Sequence, residues 1–255
     1  MKIREIYDYL NSISPFNTAV HDNVGLLTGS MDMEVTGICT GLDITNDIIN
    51  EAVLKNANLI VSHHPVIFDP LRQVCPPNPV YKLVQNDISA IAMHTNFDMS
   101  EGGVGDALVE LLGFTPTGEV LEPVHPNGLG FGSVCELDFA FTPKTLAEHC
   151  KNALDLGGVR YTPINKEIRR VAVCSGAGGS NIRLAIERGC DALITGDIKH
   201  NIWVDAINSD FVLIDAGHFG TEKCATHRLA ALLSRTFGGI PVFAADHDTE
   251  PCDYI

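Results

Sequence analysis

The sequence predicts an α/β protein of two similar α/β/α domains related by internal duplication, on three observations. Short β-type apolar runs alternate with helical patterns along most of the chain, the alternation occurs twice, and similar polar clusters recur where the strands end. With 255 residues, 45% hydrophobic and 19% charged, the chain can bury the cores this arrangement needs.

In order, the first half reads VTGICTGL, TNDIINEAVLKNA, NLIVS, a helical stretch ending near Asp87, and ISAIAM, which is the pattern of strands joined by crossover helices. Ahead of the second repeat, FGSVCELDFAF alternates like a half-buried strand. Thr142-Pro143 then opens a helix over TPKTLAEHCKNAL, a capping hydroxyl followed by proline at the first helical position, and Gly157-Gly158 closes it. The second half follows with RRVAVCSG, GGSNIRLAIERG, DALITG, a helix over IKHNIWVDAIN, and FVLIDAG. Side by side, Cys39-Thr40-Gly41 matches Cys174-Ser175-Gly176, and 58–62 matches 191–195 after a two-residue gap. His64 then faces Asp197, and HTNFD, with His94 and Asp98, faces HFGTE, with His218 and Glu222. The proline and glycine of GEVLEPVHPNG put a boundary near 119–127. The expected halves are therefore 1–122 and 123–255, with the C-terminal segment able to return to the first.

Carboxylates outnumber Lys and Arg by 32 to 17, a formal charge of -15 that repels phosphate backbones and anionic lipid. This argues against nucleic-acid and membrane partners, while a small anionic substrate stays compatible because bound cations reverse the local potential. No apolar run approaches the roughly 20 residues that cross a bilayer, and MKIREIYDYL lacks the apolar core of a signal peptide, so a cytoplasmic protein is expected. The eight cysteines show no CxxC pairing and lie mostly in apolar runs, as buried thiols of a reducing compartment do.

Open α/β sheets bind ligands beyond the carboxyl ends of their strands. SHHP, HTNFD, TGDIKH and GHFGTE all fall there. In SHHP, a turn at the strand end lets His63 and His64 reach one site, or each a different ion. His94 and Asp98, like His218 and Glu222, are four residues apart and share one side if the segment begins a helix. Singly, a packed histidine, a capping Asp98 or a surface Glu222 would explain each residue; their common location favours metal. Imidazole with carboxylate suits zinc, iron, manganese, cobalt or nickel better than calcium's all-oxygen shell. A carboxylate such as Glu222 can bridge ions about 3.5–4 Å apart, so a dinuclear centre drawn from His63, His64, His94, Asp98, His218 and Glu222 suits these residues. His94 and Asp197 are candidates for proton transfer or for holding a ligand in place. SGAGGS, at 175–180, lacks the Walker lysine and a complete GxGxxG and reads as a tight turn.

With these residues in view, the chain resembles the Nif-three-like family, also labelled GTP cyclohydrolase I type 2 homologues. DNVGLLTG, SHHPVIF, HTNFD, ITGDIKHN, DAGHFGTE and the closing PCDYI carry the resemblance in order over essentially the whole chain. It implies that His63, His64, Asp98, His218 and Glu222 hold two divalent ions in the cleft between the halves, with Glu222 as the bridge and His94 beside the site. It also implies two α/β domains of similar topology without the middle domain of longer members, and a ring-shaped homohexamer. Asn201 stands where members often carry a second histidine, which weakens a site role for the GDIKH segment.

The expected activity is that of a metal-dependent hydrolase acting on a nucleotide or phosphoester, the purine nucleotide being implied by the family label alone. Paired Lewis-acidic ions would lower the pKa of water and stabilise developing negative charge. The competing expectation is a non-catalytic metal-binding scaffold or regulatory protein.

Overall fold

Runs of four buried residues, apolar except for Thr40, Ser62, Thr195 and Asp215, make the central strands, as parallel strands covered on both faces require. The structure is a computed structural model and describes residues 1–19 and 21–254. Ile255, the last residue of PCDYI, lies outside the described residues. The chain divides into two compact units, Met1–Gly103 with Ala225–Thr249, and Val104–Cys224 with Glu250–Ile255.

The first unit opens with helix α1 (Ile3–Ile13) and strand β1 (Gly25–Thr28). Strands β2 (Ile38–Gly41), β3 (Leu59–Ser62) and β4 (Ser89–Ala92) follow, with helices α2 (Asn46–Leu54) and α3 (Pro79–Gln85) as the connections and α4 (Thr95–Met99) after β4. Local chemistry sets the helix starts: the Thr45 side chain accepts from the Ile48 N–H, and Asn78 caps α3 with Pro79 next in line. The three central strands run parallel, and β1 lies antiparallel against β4.

The second unit begins with helix α5 (Val104–Leu112) and the antiparallel pair β5 (Thr115–Pro123) and β6 (Gly130–Phe141). Helix α6 (Pro143–Ala153) starts where the sequence predicts, with Thr142 accepting from the Thr145 N–H. Then come β7 (Arg160–Tyr161), β8 (Ile168–Val173), α7 (Ile182–Glu187), β9 (Ala192–Thr195), α8 (His200–Asn208), β10 (Val212–Asp215) and α9 (His218–Glu222). Helix α10 (Cys224–Thr236) and strand β11 (Val242–Ala244) complete the fold, β11 pairing with β2 of the first unit.

The strand orders are β1-β4-β3-β2-β11 and β5-β6-β8-β9-β10-β7. Each contains three parallel strands joined by helices, with an antiparallel strand beside the third, so the duplication read from sequence is present in topology. The strand register corrects one detail of the sequence alignment. Met93 N–H donates to Ser62 O and Ala216 N–H to Thr195 O, so His94 corresponds to Gly217, not to His218. Gly217, at φ 76°, takes the N-cap place that His94 holds in the first unit, and α9 therefore starts its histidine one residue later.

The boundary expected at 122–123 lies on β5, inside the second unit. The Gly- and Pro-rich stretch read as the boundary is part of a strand and its turn, β5 pairing with β6 between Thr115 and Pro123. Six of the eight cysteines are buried, Cys75 and Cys252 being exposed, and no disulfide occurs among the described residues. Burial pushes the Cys39, Cys135 and Cys150 thiols up to about 12 and suppresses their thiolates. Among the described residues no helix is long and apolar enough to cross a membrane.

Candidate metal centre

In the first unit the chain past β3 stays paired to the end of β2, His63 N–H donating to Gly41 O and His64 N–H to Leu42 O. Leu42 is fixed in turn, its N–H donating to Asp248, which also accepts from the Thr226 hydroxyl. Here the chain leaves strand geometry, so the two imidazoles converge instead of pointing to opposite faces, with ring centroids 5.1 Å apart. His94, capping α4, brings a third ring 5.2 Å from that of His63. His63, His64 and His94 each offer a ligand atom within 4.8 Å of the others, and Asp98 places Oδ1 3.6 Å from His63 Nε2.

Each ring is oriented through Nδ1. His63, fully buried, donates from Nδ1 to the Met93 carbonyl at 2.7 Å; His64 Nδ1 meets Asp43 at 2.9 Å; His94 Nδ1 meets Asp22 at 2.8 Å. A carbonyl or carboxylate oxygen accepts, so each Nδ1 carries a proton and Nε2 is the nitrogen that would meet a cation. Asp22 accepts from the Thr95 N–H and hydroxyl as well. Burial works to raise its carboxyl, but the hydrogen bonds from His94 and Thr95 outweigh it and hold the group well below the usual carboxylate range.

The second unit carries the same chemistry on α9. The helical spacing of four puts His218 Nε2 2.9 Å from Glu222 Oε2, and His218 Nδ1 meets Asp197 at 2.8 Å. Glu222 is 4% exposed. A buried carboxylate with an imidazole nitrogen this close to it is a pair of groups that a divalent cation could satisfy. The turn read at SGAGGS makes room for it. Gly176, at φ +61°, would place a Cβ 2.2 Å from Glu222 Oε1 and 3.4 Å from His218 Nε2, so only glycine lets the loop pass the pair. Gly196 does likewise for the backbone, where a Cβ would stand 2.6 Å from His218 N.

Of the residues singled out in sequence, His63, His64, Asp98 and His94 therefore come together in the first unit, and His218, Glu222 and Asp197 in the second. The sequence reading missed Asp22 and the part played by Asp43. The usable signal was that a ligand histidine needs an acceptor behind Nδ1, which directs attention to acids in neighbouring strand-end loops such as GLDIT and HDNVG.

A family model described as Duf34/NIF3 (NGG1p interacting factor 3) matches residues 1–251. A Clostridium acetobutylicum protein named GTP cyclohydrolase 1 type 2 homolog is 30% identical over 262 residues, covering 98% of each chain. One of the same name from Clostridium perfringens is 33% identical over 230 residues, 87% of each. A Staphylococcus aureus crystal structure superposes with a TM-score of 0.91 at 32% identity, covering 100% of this chain and 99% of that one.

Proposed function

The chain belongs to the Duf34/NIF3 family, and from that premise we propose that it is a dinuclear divalent-metal protein acting as a hydrolase on a nucleotide or other phosphoester. The observation that carries the reading is the common orientation of four imidazoles. His63, His64, His94 and His218 all commit Nδ1 to an oxygen acceptor, so Nε2 is the nitrogen that would meet a cation.

His63, His64, Asp98, His218 and Glu222 would hold the two ions, with Glu222 as the shared ligand; zinc, iron, manganese, cobalt and nickel all suit this donor set. Bound there, the ions supply Lewis acidity that activates water and offsets negative charge developing on the substrate. The chain's own residues do the rest. Asp43 and Asp197 hold His64 and His218 in the ligand tautomer, and the Met93 carbonyl does so for His63. Asp22, kept ionised, fixes the proton of His94 on Nδ1 and leaves Nε2 to accept a proton or to join the ligand set. The side chains of His64 and His218 keep 13% and 34% of their surface in solvent, which favours an open, catalytic site over a closed structural one. A cytoplasmic homohexamer is part of the same proposal, on the family resemblance.

Turnover of a nucleotide and phosphoester panel by metal-reconstituted protein tests the reading. Hydrolysis of at least one compound, dependent on added metal and absent after chelation, is expected. Full metal occupancy with no turnover across the panel would instead favour a scaffold.

A further inference from the structure

The loop that follows the two adjacent histidines carries a large aromatic side chain that the proposed chemistry does not use. Phe68 is 61% exposed, yet its ring lies edge-on to His94 at 5.6 Å between centroids and 86° between planes, and 6.4 Å from His64. A single exposed phenylalanine is ordinary; one that borders two candidate ligand rings stands within reach of a substrate held at those ligands. Nor is the loop loosely attached. The Asn23 amide donates to the Ile67 carbonyl at 2.6 Å, one residue before Phe68, and Pro65 and Pro70 limit the backbone on either side.

We propose that Phe68 is a specificity-determining residue, an aromatic platform that takes the planar heterocycle of a nucleotide whose phosphate is directed to the metal ligands. The proposal rests on the dinuclear hydrolase reading for the phosphate end and on the placement of Phe68 for the ring end. A ring placed against the exposed face of Phe68 gains dispersion and offset-stacking contact that a simple phosphoester cannot make, so the residue selects for the base and leaves the phosphate contacts alone.

The test is calorimetric titration of the metal-reconstituted full chain with three probes: the non-hydrolysable β,γ-imido analogue of GTP, guanosine, and inorganic tripolyphosphate. For Phe68→Ala, the GTP analogue and guanosine should bind about tenfold more weakly, tripolyphosphate should stay within about twofold of the natural chain, and metal content should be unchanged. Phe68→Tyr, which keeps the ring, should retain the affinity for the GTP analogue. Equal weakening of the analogue and tripolyphosphate in Phe68→Ala, or no change in either, overturns the proposal. So does a natural chain that holds metal and tripolyphosphate but no purine, or a Phe68→Ala variant altered only in oligomeric state, which would make Phe68 a contact between copies. A chain that retains no metal and no tripolyphosphate would defeat the dinuclear reading, while the guanosine titration, which needs no cation, still decides the role of Phe68.

Discussion

Replacing Glu222 with glutamine is expected to lower metal affinity by at least about a hundredfold, since even groups that only orient ligands are worth about 10–100-fold. Glutamine keeps the volume, so the cavity beside Gly176 stays filled and the loop keeps its path. What changes is the charge: a neutral amide oxygen 2.9 Å from His218 Nε2 is a weak ligand and a poor bridge. The signature is a divergence between two readouts. With metal at 100 times its Kd the natural chain should gain about 2.7 kcal/mol of apparent stability, and the variant should gain almost none. Without metal the variant keeps an oxygen of the same size beside His218 Nε2, so its melting temperature should stay close to that of the natural chain. Thermal melts with and without added metal, alongside metal analysis, check both; a variant that retains metal and its thermal shift contradicts the assignment.

The second large effect concerns stability alone. Glu51, 3% exposed on α2, accepts from Lys55 at 2.6 Å, from the His247 ring at 2.9 Å, and from the N–H groups of Asp246 and His247 at 3.0 and 3.1 Å. It thereby fastens the chain beyond β11 to the helix of its own unit. Glu51→Ala leaves two backbone donors without their acceptor, and a loss on the order of 2–3 kcal/mol is expected, Lys55 adding little because it is partly solvated. Burial works to raise the Glu51 carboxyl, but hydrogen bonds from Asp246, Lys55 and His247 outweigh it and bring it down to about 2. A depressed carboxylate contributes stability that is complete above its unfolded pKa and disappears as pH falls through the folded one. The gap between natural chain and variant in denaturant melts should thus be full at pH 7, shrink below about pH 4.5 and nearly close near pH 2. An equal gap at pH 7 and pH 2 contradicts this account.

Much of this architecture was legible in the residues. The buried strands announce themselves as short apolar runs, and helix starts such as Thr142-Pro143 are fixed by local hydrogen bonding that sequence displays directly. Strand-end histidines were legible because topology alone places them at the sheet's carboxyl edge. Long-range pairing was not. Nothing local shows that GEVLEPVHPNG lies in and beside an antiparallel strand, since a Pro- and Gly-rich stretch reads the same as linker or edge strand. The one-residue offset between His94 and His218 was hidden because Gly217 changes the entry into α9 without disturbing the motif. Asp22 stayed unnoticed for the same reason: its partners His94 and Thr95 are more than 70 residues away, and only the fold unites them.

The proposed function predicts two cations held among His63, His64, Asp98, His218 and Glu222. Anomalous scattering from crystals of the metal-loaded chain, collected on both sides of the absorption edge, measures this directly. Two adjacent peaks are predicted, one of them ligated by His63 and Asp98, with His64 and His218 within the shells and Glu222 touching both ions. A single peak away from these side chains, or none after reconstitution, would contradict the account.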